Sequence, residues 1–434
     1  MNLLHFSNAD IRGGAAQATY QLHTLLRNAG HKSVMAVRRK DSADSDVVRV
    51  GALSLMDCTW AERLERGRAR LAGGYRVKPL PFHYFNLNLA PAPDLRSALD
   101  AMPRPDVIFL HWITGLLTAA DIRRIWERLR CPLVWVVLDM EPMTGGCHYP
   151  EDCTRFHSNC GQCPQLTHSG PHDWTWRIWH EKHRQIADLP ITFVAATQWI
   201  ANRLSESGLF GKHRVTRIPL PMNALMHPME KNIARNILGL PIDKRIILVG
   251  GHDLKDPRKG MDRFLAAARI LAEQGKLNGD LPFRKDNLLF LLLGENGMEL
   301  AANLPFPTRD MGYIHSQIEL TLAYQAADVF ASPSMEDAGP MMVSQAMLCS
   351  TPVVAFDTGI APELIVSGKT GYLARLGDAE DFACGLKAML ADDGSAGPRA
   401  AAVASRHHDP QVIARAYDAI LADLVRRPSG PIAS

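Results

Sequence analysis

The sequence predicts an α/β chain folded as two doubly wound, Rossmann-like domains, each built around a parallel sheet. Three observations carry that prediction. At 434 residues the chain exceeds what one hydrophobic core commonly organises. Its opening reads strand, glycine loop, helix, strand, which is the start of a βαβ unit. After a proline-rich stretch the same alternation begins afresh.

Taken in order, residues 2–6 (NLLHF) form a short apolar run, and Gly13-Gly14 follow. A helical pattern runs from Ala15 to Asn28 and is closed by Gly30, with strand Ser33–Val37 directly after. Val107–Leu110, Leu133–Leu138 and Ile191–Ala195 are continuous apolar runs, as strands buried on both faces require. Helical stretches are predicted at Ala119–Arg130 and Trp199–Ser207. The run IPLPMNALMHP (218–228) carries three prolines, so a first domain of 1–218 is separated by a linker, 219–235, from a second at 236–408. In that second domain the strands are Arg245–Gly250, Leu288–Leu293, Asp328–Ala331 and Pro352–Phe356. Helices start at Met261 and lie around Ile318–Ala326 and Met342–Leu348. In segment 409–434, Pro410–Leu424 reads as a helix returning to the first domain, ahead of a polar tail.

Composition narrows the function classes. With 47% hydrophobic, 21% charged and 7% aromatic residues the chain is ordinary globular protein, and a net charge of +3 gives no global signal for nucleic acid. No apolar run approaches the roughly 18–20 residues that span a bilayer. The start MNLLHFSNADIRGG lacks a basic n-region, so no signal peptide and a cytoplasmic location are expected. In that reducing compartment eight cysteines are not expected to form a disulfide framework.

Ligands of doubly wound sheets bind beyond the carboxyl ends of the strands. The richest such stretch is 328–373, DVFASPSMEDAGPMMVSQAMLCSTPVVAFDTGIAPELIVSGKTGYL. Its first strand leads into Glu336 and Asp337, and Gly339-Pro340 then opens a helix whose free N–H groups can face an anion. A second strand ends in the loop 357–359 with Gly359, before another helix start. Acids suit sugar or ribose hydroxyls, and peptide N–H groups suit a diphosphate. The alternative is a set of ordinary strand-turn-helix junctions.

The order of PS, acid, glycine-proline, AM, a cysteine-small-TPVVA strand, PELI and GKTGYL resembles the donor domain of glycosyltransferase family 4. The opening GGAAQATYQL…GHKSV is similar to the same family, and the resemblance spans roughly residues 1–390. It implies the GT-B fold with two domains facing a central cleft, a retaining reaction, a UDP-sugar or GDP-sugar donor and no catalytic metal. The family carries two glutamates separated by seven residues, the first on the donor sugar and the second on the ribose. Here Asp337 and Gln345 match them, with Glu336 as the alternative for the first role. Gln345 still bonds a diol but is uncharged. In GGHDLKDPRKGMDRF (250–264), Arg258 and Lys259 fall where the family sets a basic residue against the diphosphate, whose negative charge grows as the glycosidic bond breaks. The Gly312–Ile314 loop is implied to lie near the base.

In the first domain, Gly13 and Gly14 resemble the loop that closes over the donor phosphates. His111 ends a strand in VIFLHWITG and is implied to face the cleft near the donor sugar or acceptor hydroxyl. The segment LDMEPMTGGCHYPEDCTRFHSNCGQCPQL (138–166) holds Cys147, Cys153, Cys160 and Cys163, and a closed structural zinc site pinning this long loop is expected from them. His148 and His157 are alternative ligands, and four unligated thiols or an iron–sulfur cluster are the alternatives to zinc. The TGGCHY…C…C..CP arrangement resembles a family 4 subgroup from bacterial polysaccharide pathways. There a His-Asp pair precedes the loop. Here Leu138 stands in place of the histidine, and Asp139 remains as the candidate acceptor-side carboxylate, with a purely structural hydrogen-bonding role as the alternative.

The function expected is retaining transfer of a sugar from a nucleotide diphosphate donor to a glycan or polyprenyl-linked acceptor in bacterial surface polysaccharide biosynthesis. The basic stretch 60–78 is expected to be a solvated helix, with peripheral contact with anionic membrane as the alternative. The alternatives are a sugar-nucleotide epimerase on the same fold and a non-catalytic partner protein, the latter motivated by Leu138 and Gln345.

Overall fold

A computed structural model describes residues 1–50, 99, 102–277, 287–339 and 341–426. The basic stretch 60–78, Pro340 and the polar tail after Arg426 lie outside the described residues. The chain divides into two compact units, one of Met1–Pro221 with Pro410–Ser434 and one of Met222–Asp409.

The first unit holds β1 (Asn2–Ala9), α1 (Gly14–Asn28), β2 (Lys32–Arg39), β3 (Val47–Arg49), β4 (Val107–Leu110), α2 (Ala119–Leu129), β5 (Leu133–Val137), α3 (Trp174–Ile186), β6 (Ile191–Ala195), α4 (Gln198–Glu206) and β7 (Val215–Arg217). Its seven strands run β3-β2-β1-β4-β5-β6-β7, and the pairs are parallel. Strands β4, β5 and β6 are buried at every position, which explains their unbroken apolar runs. Helix starts are written in local chemistry. Thr118 and Asp121 form a reciprocal capping box on α2, and Asp173 and Thr197 cap α3 and α4 through backbone N–H groups.

The second unit holds α5 (Lys231–Leu238), β8 (Arg245–Asp253), α6 (Met261–Leu277), β9 (Leu288–Glu295), α7 (Gly297–Asn303), β10 (Thr308–Asp310), α8 (Gln317–Ala326), β11 (Val329–Ser332), α9 (Met341–Leu348), β12 (Val353–Phe356), α10 (Ala361–Leu364), β13 (Gly371–Ala374), α11 (Ala379–Leu390) and α12 (Ala396–His407). The sheet order is β10-β9-β8-β11-β12-β13, parallel throughout. Side chains alternate between two cores, one on each face. Ile246 and Leu248 join the α5, α8, α9 and α12 side, and Ile247 and Val249 join the α6 and α11 side.

Helix α13 (Pro410–Arg426) belongs to the first unit. It buries Ile413, Tyr417, Ile420, Leu421 and Leu424, with the Tyr417 ring 6.1 Å from Phe109 of β4. His31 meets Asp418 at 2.8 Å, and Arg214 pairs with Asp423.

In both sheets the order reverses direction beside the first strand of the unit, between β1 and β4 and between β8 and β11. Such a switch point opens a crevice at the carboxyl ends of the two flanking strands. The residues of interest follow those strands.

Candidate functional site

In the second unit, the loop after β8 and the loop after β11 lock together at the switch point. The peptide N–H of Met335 donates to the carbonyl of Arg258 at 2.7 Å. Gly260 has φ +62°, and a Cβ there would sit 2.0 Å from the carbonyl oxygen of Pro333, so only glycine permits this approach. Asp256 caps the turn through Arg258 N–H and pairs with the Arg258 guanidinium. The contact delivers Lys259 Nζ to Asp337 Oδ2 at 2.6 Å, while Asp337 Oδ1 accepts from Gly339 N–H at 3.0 Å. Burial pushes the Asp337 carboxyl up, but Lys259, Arg258 and these hydrogen bonds outweigh it and hold the carboxyl below its ordinary value. Of the two candidate acids, Asp337 pairs with Lys259; Glu336 is half-buried beside it.

Gln345 is buried on α9, and its side-chain carbonyl accepts the Tyr324 hydroxyl at 3.0 Å. Gly359 takes φ +60° in a buried turn ahead of α10, a helix of only four residues. The Gly312–Ile314 loop follows β10. Its Tyr313 ring packs edge-on against His252 at 4.9 Å and against His315 at 4.8 Å, and His252 belongs to β8, the strand that leads to Lys259.

In the first unit the glycine loop is anchored by Asp10, which is fully buried and accepts the N–H groups of Ile11, Asp41 and Ser42. Gly13 has φ +92° with open space around it, and Gly14 starts α1. His111 does not face outward from its strand end. It is buried, with Nε2 2.9 Å from His5 Nδ1 of β1, and the pair stacks with Phe109. His23 of α1 lies edge-on to His5 at 5.9 Å and meets the Ser33 hydroxyl at 2.7 Å. Burial, then the His23 imidazole, lowers His111 to about 3, and burial with Arg27 lowers His23 to about 4. His5 shifts the same way, from burial first and its two histidine neighbours second.

Asp139, directly after β5 and Leu138, is not alone. Its Oδ2 meets His148 Nδ1 at 2.7 Å and its Oδ1 accepts Glu141 N–H at 2.9 Å. The indole N–H of Trp112 points at the same pair, 3.4 Å from His148 Nδ1. Burial pushes the Asp139 carboxyl up, yet His148, Glu141 N–H and Trp112 together hold it down. His148 sits in the TGGCHY run itself, where the sequence suggests only a metal ligand.

The four-cysteine zinc site is not supported. Among the described residues no group of three or more His, Cys, Asp or Glu is arranged to hold a metal ion. Burial, with the neighbouring cysteines adding, raises the Cys147, Cys160 and Cys163 thiols, Cys160 to about 12 and Cys163 to about 11. Hydrogen bonds order the loop instead. Lys182 of α3, buried, donates to Glu141 Oε1 at 2.8 Å, to the Thr144 carbonyl at 2.9 Å and to the Glu141 carbonyl. Asp173 accepts Cys163 N–H at 2.9 Å, and Cys160 Sγ accepts Gly145 N–H at 3.2 Å. His157 pairs with Glu206 at 3.4 Å. Lys182 lies outside the cysteine pattern, so its role was not readable from spacing.

Two family models match this chain in succession, "Glycosyltransferase Family 4" over residues 12–224 and "Glycosyl transferases group 1" over residues 230–406. Together they cover both units and both sets of site residues. The chain is thus similar to family 4-like glycosyltransferases along both halves. Curated proteins similar to this chain include the D-inositol 3-phosphate glycosyltransferase of Mycolicibacterium vanbaalenii, 30% identical over 48% of each chain, and that of Mycolicibacterium smegmatis, 30% identical over 46% of this chain and 45% of the relative. The chain spans about half the length of the curated relatives it matches. Sucrose-phosphate synthase from Thermosynechococcus elongatus has the same fold, with TM-score 0.65 at 17% identity over 98% of both chains. So does the Anabaena protein HepE in complex with UDP and glucose, with TM-score 0.65 at 15% identity over 98% of this chain and all of that one. Both units are thus Rossmann-like halves of the GT-B fold.

Proposed function

We propose that the chain transfers a sugar, with retention, from a nucleotide diphosphate donor held by the second unit to a hydroxyl of a glycan or lipid-linked glycan. The observation that carries this reading is the 2.6 Å Lys259–Asp337 pair at the β8–β11 switch point. A cation and a carboxylate held within a hydrogen bond of each other, at a strand end, suit a diphosphate and a sugar hydroxyl respectively. On donor binding Lys259 would exchange Asp337 for a phosphate oxygen, with Arg258 beside it, and Asp337 would accept from the sugar. Gln345 would meet the ribose and Tyr313 the base. Gly339 and Gly359 would line the donor side.

In the step itself the bond between the acceptor oxygen and the anomeric carbon forms as the bond to the β-phosphate oxygen breaks. The acceptor proton goes to that departing oxygen, and the free nucleoside diphosphate leaves. Fixed positive charge opposite the leaving phosphate is the term the protein supplies. A UDP-sugar is favoured as donor, because HepE is described with UDP and with UDP-glucose. The four-cysteine loop favours a place in bacterial surface polysaccharide synthesis. A phosphorylated inositol acceptor is the second reading, from the names of the curated relatives. No described helix is long and apolar enough to cross a membrane.

Titration calorimetry with UDP and GDP tests the donor assignment. Wild-type protein should bind one of them. Lys259→Ala should weaken it at least tenfold and slow transfer by about 10²–10³, as when one electrostatic partner of a developing anion is removed. Absence of binding to both nucleotides at millimolar concentration would refute it.

A further inference from the structure

Three aromatic side chains line the carboxyl ends of three adjacent strands in the first unit. Trp112 follows β4, Tyr149 lies in the loop after β5, and Trp199 opens α4 after β6. The strands are neighbours, β4 beside β5 and β5 beside β6. Unlike the core aromatics Trp135 and Phe193 on the same strands, all three are half-buried rather than buried.

They are also held in place. Trp112 is fixed at both ends, its carbonyl accepting Asn8 N–H at 2.8 Å and its indole N–H aimed at the buried Asp139–His148 pair. Its ring lies 5.7 Å from the His148 ring. Tyr149 follows His148 in the chain and packs 6.5 Å from Trp199, and the Arg203 guanidinium caps Trp199 at 5.2 Å. The loop carrying His148 and Tyr149 is tied down by Lys182 through Glu141 and Thr144. A buried carboxylate–imidazole hydrogen bond under a half-open indole, in a loop held by further hydrogen bonds, is more order than an aromatic surface needs for solubility.

We propose that Trp112, Tyr149 and Trp199 form a track on which successive rings of an oligosaccharide acceptor stack, with Asp139 and His148 as residues that position Trp112. Rigid aromatic rings offer an apolar face to the C–H face of a sugar at little entropic cost, while their polar tips stay bonded. Rings carried by the segments that follow three neighbouring strands, with Tyr149 and Trp199 6.5 Å apart, match an extended chain of sugars rather than one compact polyol. This deepens the glycan-acceptor reading and rests on it, and it separates that reading from a phosphorylated inositol acceptor.

The test uses the full chain labelled with 5-fluorotryptophan, in which Trp112→Phe and Trp199→Phe assign the two ¹⁹F resonances. The probes are α- and β-linked pentasaccharides of glucose and mannose, their methyl monosaccharides, and D-inositol 3-phosphate. The Trp112 and Trp199 resonances should both move with a pentasaccharide, at an apparent Kd at least tenfold below that of the monosaccharide, while the buried Trp135 resonance stays still. Trp112→Ala should raise the Kd about tenfold, read from the Trp199 resonance, and Trp112→Phe should recover most of the affinity. Asp139→Asn should raise it several-fold, an effect on sugar affinity that a purely structural carboxylate would not produce. The proposal is overturned if no pentasaccharide moves either resonance, or if D-inositol 3-phosphate moves Trp112 at lower concentration than every oligosaccharide. UDP titration of the same samples separates the outcomes, since a chain that binds UDP but no sugar loses only the track.

Discussion

Acidification should unfold the first unit selectively, because His5, His23 and His111 are packed neutral in its core. Their folded values lie below the ordinary histidine value near 6.5, so as pH falls the unfolded chain takes up protons that the native chain refuses. Their stability contribution is complete above about pH 6.5 and drains away toward the folded values of about 4 for His23 and about 3 for His111. Between pH 7 and pH 5 the linkage relation gives a loss of about 2 kcal/mol for each of His111 and His23, about 4 kcal/mol together. His5 adds in the same direction, as does His213, which is also lowered by burial. The carboxylates Asp139, Asp328 and Asp337, all held below their ordinary range, lose their contribution only at lower pH and leave this window to the imidazoles. The assay follows from composition. All eight tryptophans lie between residues 60 and 199, so urea unfolding read by tryptophan fluorescence reports the first unit alone. Its free energy should fall by roughly 3–5 kcal/mol from pH 7 to pH 5. In the double variant His5→Phe/His111→Leu, which replaces both partners with apolar groups, the dependence should flatten. Equal free energies at the two pH values, or a slope unchanged in the double variant, would refute the reasoning.

Two further predictions test how the site is held. Lys182→Met strands the Glu141 carboxylate in the core and should cost about 3–5 kcal/mol in the same fluorescence assay, with most of it restored by adding Glu141→Leu. Gly260→Ala sets a methyl against the Pro333 carbonyl at positive φ and must part the loops carrying Lys259 and Asp337. UDP affinity by calorimetry should fall more than tenfold, with the fluorescence transition of the first unit unmoved.

The long central strands and the principal helices were legible because parallel strands covered on both faces must be continuously apolar, as VIFL, LVWVV and ITFVA are. The edge strands β3, β7 and β10, three residues each, leave too short a pattern to read. Helix α3, WTWRIWHEKHRQI, hides behind its aromatic and histidine content, though the Asp173 cap marks its start. Lys259 and Asp337 were readable as chemistry in sequence, but that they touch depends on Gly260 docking against Pro333, a contact between distant segments. His111 turned inward because His5, on the neighbouring strand, offers it a buried partner that spacing along the chain does not reveal. Asp139 found its histidine nine residues downstream, in His148, rather than at the preceding position.

Because α13 completes the first unit, ribosomal synthesis imposes an order on folding. The 188 residues of Met222–Asp409 must be added after the β1–β7 segment is finished, which takes roughly 10–40 s at bacterial or eukaryotic elongation rates. During that interval Phe109 lacks Tyr417, whereas the second unit is one uninterrupted stretch and needs nothing made later. The half translated first is therefore the half that matures second, and a nascent chain stalled before residue 410 would offer chaperones an uncovered sheet beside an already folded neighbour.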